Sequence, residues 1–134
     1  MQIRPKYSAT DEPRNLGFKP FTPYREKGTA MSVAKVIKEC KTALEGYYGT
    51  RFKGLLLYGS VARHQDTPAS DIDLLVLLNQ PFNYFDELRQ IIDLLYPIQL
   101  ESDRLISAKP IPLKEYEEGR IQLYRNAKRE GMLV

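Results

Sequence analysis

The chain has 134 residues, 43% of them hydrophobic and 28% charged, with a net charge of +3. This is the size and composition of one soluble globular domain with a single core; the charge is too slight to argue by itself for nucleic-acid binding, although a mild basic excess suits a phosphate-bearing ligand. A single cysteine excludes an intrachain disulfide and fits a reducing, cytosolic setting, a single histidine excludes a multi-histidine metal site, and neither a secretory segment nor an apolar run near the roughly 18 residues of a membrane span is present.

Residues 1–29 hold four prolines and no sustained period, and read as an extended arm outside the core. Its aromatics Tyr7, Phe18, Phe21 and Tyr24 could dock on the domain or on a partner, or the segment is a plain leader. The domain is expected over residues 30–134. Val33, Val36, Ile37, Cys40, Ala43, Leu44 and Tyr47 recur at helical spacing, so residues 31–47 read as an amphipathic helix, with Thr29 or Ser32 as its cap and Cys40 in the core. Leu55–Tyr58 predicts a short buried strand. Residues 71–78 predict a second, apolar from Leu74 onward as a central strand covered on both faces would be.

Phe85, Leu88, Ile91, Ile92 and Leu95 mark another amphipathic helix, with Pro97 expected to separate it from a third strand within residues 98–108. Two short helical segments follow, near 113–118 and 120–129, with Gly131 as a stop. This order predicts a small α/β (α+β) domain, a mixed sheet with helices packed against it.

The unusual stretch is "LLLYGSVARHQDTPASDIDLLVLL", residues 55–78. Side chains alternate along a strand, so Asp71 and Asp73 project to one face. Two carboxylates at the edge of an apolar strand lose solvation and repel one another. A Mg²⁺ ion removes that difficulty, since it prefers hard oxygen ligands and binds through one or two carboxylates together with substrate phosphates. Gly59 lets the backbone turn tightly and approach a ligand, and backbone N–H groups opening the next turn can hold an anion. The Ser60 hydroxyl and the Arg63 fork can add to that anion site, with Ser70 a further candidate. A phosphate cradle facing a metal site suits nucleotidyl transfer. The plainer reading is a Gly-Ser turn with Ser70 and Asp71 closing a loop.

Gly59-Ser60, the ten residues Val61–Ser70, then Asp71-Ile72-Asp73 resemble the signature of the DNA polymerase β-like nucleotidyltransferase superfamily, in its minimal nucleotidyltransferase (MNT) branch. The resemblance is detailed over residues 55–78, looser from 30 to 134, where "LYRNAKREGMLV" also looks like the end of small members, and does not cover 1–29. It implies a mixed-sheet core binding ATP and Mg²⁺, with Gly59 and Ser60 as the phosphate pair and Asp71 and Asp73 as the first two metal carboxylates. It implies a third carboxylate from a neighbouring strand that helps deprotonate the acceptor. Asp103 is the first candidate for it and Glu101 the second, with a site lacking it as the remaining possibility.

Many stand-alone members are similar to the antitoxin of HEPN–MNT toxin–antitoxin pairs, which transfers AMP to a tyrosine of the HEPN ribonuclease. The resemblance therefore implies a HEPN-type toxin as partner. Alternatives are a degenerate domain that neutralises a partner by occlusion and, more weakly, transfer to a small molecule. The family often has Gly after the arginine. Here the position is His64, expected as an exposed loop residue.

Overall fold

A computed structural model describes residues 31–134, so the arm expected over residues 1–29 lies outside the described residues. The first helix, α1, spans Val33–Tyr48, and the Ser32 side chain caps it by accepting from the Lys35 N–H at 3.2 Å. Its buried stripe is Val36, Ile37, Cys40, Leu44 and Tyr48, the helical spacing read from the sequence. After a 3-10 turn at Gly49–Arg51, β1 runs over Phe52–Tyr58, three residues longer at its start than expected. A single helical turn, α2, covers Gly59–Ala62, and β2 follows at Ile72–Leu78.

Helix α3 spans Tyr84–Glu101, capped by Asn83, whose side chain accepts from the Asp86 N–H at 3.0 Å. It contains Pro97, which was expected to end it. Leu95 is buried before the proline and Ile98 packs on the same core after it. Fully burying a Leu is worth about 1.5–3 kcal/mol, and Leu95 together with the part-buried Ile98 offsets the helix bond that proline forfeits. The chain turns only after Glu101. There the Gln99 carboxamide donates to Arg104 O at 3.0 Å and accepts from Ile106 N at 2.7 Å. Strand β3 therefore occupies Ile106–Pro112 rather than a stretch within 98–108.

Helices α4, Leu113–Glu118, and α5, Gln122–Glu130, lie close to where the sequence put them. A last strand, β4, at Met132–Leu133 was not foreseen.

The four strands form one mixed sheet in the order β3-β2-β1-β4. Strand β1 is antiparallel to β2 and to β4, and β2 is parallel to β3. One face buries Leu55, Leu57, Ile72, Leu74, Val76 and Leu78 with the apolar stripes of α1 and α3. The other buries Leu56, Leu75, Leu77 and Ile111 with Tyr124 and Ala127 of α5. Strand β2 is thus central and covered on both faces, as its unbroken apolar run requires. Among the described residues, no helix is long and apolar enough to cross a membrane.

Candidate active site

The site lies where β1 leaves the sheet and β2 enters it. Tyr58, the last residue of β1, is the register partner of Asp73. Paired residues of adjacent strands share a face, and alternation adds Leu75 and Leu77 to the face of Asp73. The acid therefore continues the row that α5 covers lower down. The register with β3 sets Ser107 beside Asp73 and Lys109 beside Leu75 on that same face.

Gly59 shows why a glycine follows the strand. Its φ is +80°, and a Cβ there would lie 3.2 Å from Asp73 Cγ and 3.4 Å from Asp73 Cβ, with Oδ2 nearer than any van der Waals contact allows. The backbone of the Gly-Ser turn and the Asp73 carboxylate are in direct apposition, which only a residue without a side chain permits. The turn closes through Arg63 N to Gly59 O at 3.2 Å and Gln65 N to Ser60 O at 2.9 Å.

His64 is exposed and has a φ of 58°, in the left-handed region. That conformation accounts for the usefulness of a glycine here, and His64 adopts it at a cost. Farther along, the Ser70 hydroxyl accepts from Thr67 N at 2.9 Å and lies 3.3 Å from Thr67 Oγ1. Its hydrogen bonds therefore close its own loop. Asp66 pairs with Arg104 at 2.9 Å and ties the loop to the turn before β3.

Asp73 is partly buried. Burial, and secondarily the Asp71 charge, pushes its carboxyl above the usual carboxylate range, against the opposing pull of Lys109 and Arg63. Asp71 is exposed, at the mouth of the strand. Arg63 is held at its side chain by two groups: Nε donates to Gln65 Oε1 at 3.3 Å, and Nη1 lies 3.7 Å from Glu130 Oε1. Three acids, Asp71, Asp73 and Glu130, and two cations, Arg63 and Lys109, thus share one end of the sheet, and the acid whose ionisation is opposed is the one packed on the Gly-Ser turn.

The third carboxylate takes a different course from that expected. Asp103 is exposed in the turn after α3, three residues before β3, and Glu101 is the exposed last residue of α3. Because α3 runs on past Pro97, neither reaches the third strand. The strand itself, ISAKPIP, carries no acid. Among the described residues, no three His, Cys, Asp or Glu side chains gather into a group that could hold a metal. Sequence reasoning also missed Glu130. Its position near Arg63 depends on β4 pairing beside β1, and two residues of strand carry no readable period.

A family model described as "Nucleotidyltransferase domain" matches residues 33–126. The chain belongs to the nucleotidyltransferase domain family. A relative from Methanocaldococcus jannaschii, named "Putative protein adenylyltransferase MJ0604", is 35% identical over 98 residues, covering 68% of this chain and 98% of its own. The match takes in the Gly-Ser turn, the Asp71-Ile72-Asp73 stretch and helices α1 to α4, and ends within α5. This nucleotidyltransferase is therefore an enzyme of the polymerase-β-like fold expected from its motif.

Proposed function

We propose that this nucleotidyltransferase transfers AMP from ATP to a hydroxyl, with Mg²⁺ held by Asp71 and Asp73, and that the acceptor is a tyrosine of a HEPN-family toxin silenced by the modification. The observation that carries the reading is the apposition of Gly59 and Asp73. It brings a turn suited to phosphate against a carboxylate suited to a metal. The relative's name, protein adenylyltransferase, favours adenylyl as the transferred group and a protein as acceptor.

The donor set fits a hard divalent cation. Asp71 and Asp73 offer only oxygens, and the ionisation of Asp73 is opposed by its burial and by Asp71, which a nearby cation would relieve. When bound, the ion would supply neutralisation of the triphosphate charge. The chain's own residues do the rest. Gly59 lets the Asp73 carboxylate close directly on the turn, the Ser60 hydroxyl donates to a phosphate oxygen, and the Arg63 fork meets the anion. The acceptor hydroxyl gives up its proton to water, its oxygen forms a bond to the α-phosphorus, the α–β phosphoanhydride bond breaks, and pyrophosphate leaves with the electron pair. Positioning and charge complementarity account for most of the acceleration in such a transfer.

The test uses ATP labelled at the α-phosphate, Mg²⁺ and a HEPN-type protein. Label is expected on the partner, with release of pyrophosphate and loss of transfer in an Asp71→Ala, Asp73→Ala double variant. Absence of label, or equal labelling by the double variant, refutes the reading. Silencing of the partner that survives in the double variant would assign neutralisation to occlusion instead.

A further inference from the structure

Glu130 ends α5 and sits just before β4, whose Met132 is the register partner of Leu57. That pairing brings the end of α5 down beside the Gly59–Arg63 turn. Gly131 permits the close descent, since a Cβ there would meet Ala127 O at 2.6 Å and Leu57 O at 3.3 Å. Once there, the Glu130 carboxylate is shared. Oε1 lies 3.7 Å from Arg63 Nη1, and Oε2 lies 3.6 Å from Arg129 Nη2. Two guanidinium groups, more than sixty residues apart in the chain, are gathered on the two oxygens of one acid. Like charges so close would otherwise repel, and the carboxylate between them offsets that.

The neighbouring basic residues of α5 point elsewhere. Lys128 Nζ donates to Glu117 O at 2.7 Å and lies over the Tyr116 ring, and Arg125 donates to Gly119 O at 2.8 Å. Both are turned to α4. Arg129 is instead turned to Glu130, 3.6 Å away, and its Nη2 donates to Asn126 Oδ1 at 2.7 Å.

We infer that Glu130 is a positioning residue that gathers Arg63 and Arg129 into a two-arginine clamp for the outer phosphates of the nucleotide. The inference rests on the ATP reading above and extends the site to the end of α5. Arg63 closes the turn whose Gly59 packs on Asp73, so it takes the phosphates closer to the reacting one. Arg129, on the far side of Glu130, takes the terminal ones. Planar forks suit this role, and an acid that orients them raises the local order of the site while leaving a net positive charge.

Calorimetric titration of the full chain with ATP and with AMP, in the presence of Mg²⁺, tests the clamp. Wild type is expected to bind ATP more tightly than AMP. Arg129→Ala, Glu130→Ala and Glu130→Gln should each weaken ATP binding about 3- to 10-fold, a modest loss because the groups are part-exposed. They should leave AMP binding within about twofold. Lys128→Ala should change neither. The sign for Glu130 is decisive: an acid that merely stood near the phosphates would repel them, so its removal would tighten ATP binding, and tightening or no change overturns the inference. Equal loss in Lys128→Ala also overturns it, by showing a general charge effect. If Glu130→Ala does not fold, Glu130→Gln and Arg129→Ala carry the test. Arg63→Ala separates this inference from the reading beneath it. If Arg63→Ala keeps full ATP affinity, the nucleotide site itself is misassigned and the clamp falls with it. If Arg63→Ala weakens ATP binding while Arg129→Ala and Glu130→Gln do not, only the clamp is refuted.

Discussion

Replacing Gly59 by alanine should damage folding and catalysis through one contact. The φ of +80° is a conformation that an L-residue adopts at a cost of roughly 1–2 kcal/mol. The new Cβ would also collide with the Asp73 carboxylate, whose Cγ lies 3.2 Å from the Cβ position, so Asp73 must leave its rotamer. That adds about 0.5–1.5 kcal/mol. The total is about 1.5–3.5 kcal/mol, which for a domain of this size lowers the melting temperature by roughly 5–20 °C. A carboxylate displaced by about 1 Å should cost on the order of 100-fold in transfer rate. Thermal melts and transfer of labelled nucleotide would measure the two effects. The cause is isolated by Gly59→Ala combined with Asp73→Ala. Truncating the acid removes the collision but not the backbone strain, so the combined variant should regain the collision share of stability. If the two substitutions are additive, or if Gly59→Ala melts and reacts as wild type does, the apposition of Gly59 and Asp73 is not what fixes this site.

Asp73→Asn should trade activity for stability. The folded carboxyl is raised above its unfolded value, so between the two values the folded state binds more protons and stability falls as pH rises. In metal-free buffer the gain of Asp73→Asn over wild type should therefore grow as pH climbs from about 4 through the raised folded value, and a gain that does not vary with pH contradicts this. His64→Gly should stabilise the enzyme by about 0.5–1 kcal/mol, the left-handed cost of roughly 1–2 kcal/mol less the extra freedom glycine gives the unfolded chain. Urea melts showing a loss of stability would refute that assignment. Cys40 is fully buried and its thiol is pushed up to about 12, chiefly by burial, so a thiol reagent should label it only at the rate of unfolding. Fast labelling of the native protein would contradict the packing of α1.

What the sequence revealed depends on the range of the interactions. Helix α1 was readable because its buried residues repeat every three to four positions and Ser32 offers a cap, all within one turn of each other. Strand β2 was readable from its unbroken apolar run, and the Gly59, Ser60, Asp71, Asp73 grouping from its spacing. Pro97 misled because the rule against proline in a helix is local, whereas the burial of Leu95 and Ile98 that overrides it is tertiary. That shift moved β3 past Asp103 and replaced the expected acid with Ser107 and Lys109. Strand β4 is two exposed residues, too short for alternation to register. Its pairing with β1 is what brings Glu130 to Arg63, a juxtaposition that no local pattern encodes.

The pairing of Tyr58 with Asp73 also has a kinetic consequence. The two walls of the site belong to consecutive strands of one antiparallel pair, joined by the loop from Gly59 to Asp71. Closing a loop of that length is fast, on the order of 10–100 ns for about ten residues. The parallel docking of β3 must wait for the α3 crossover, and β4 for the whole chain. The phosphate turn and its acid can therefore meet as soon as the first hairpin forms, before the elements that bring Lys109 and Glu130 alongside.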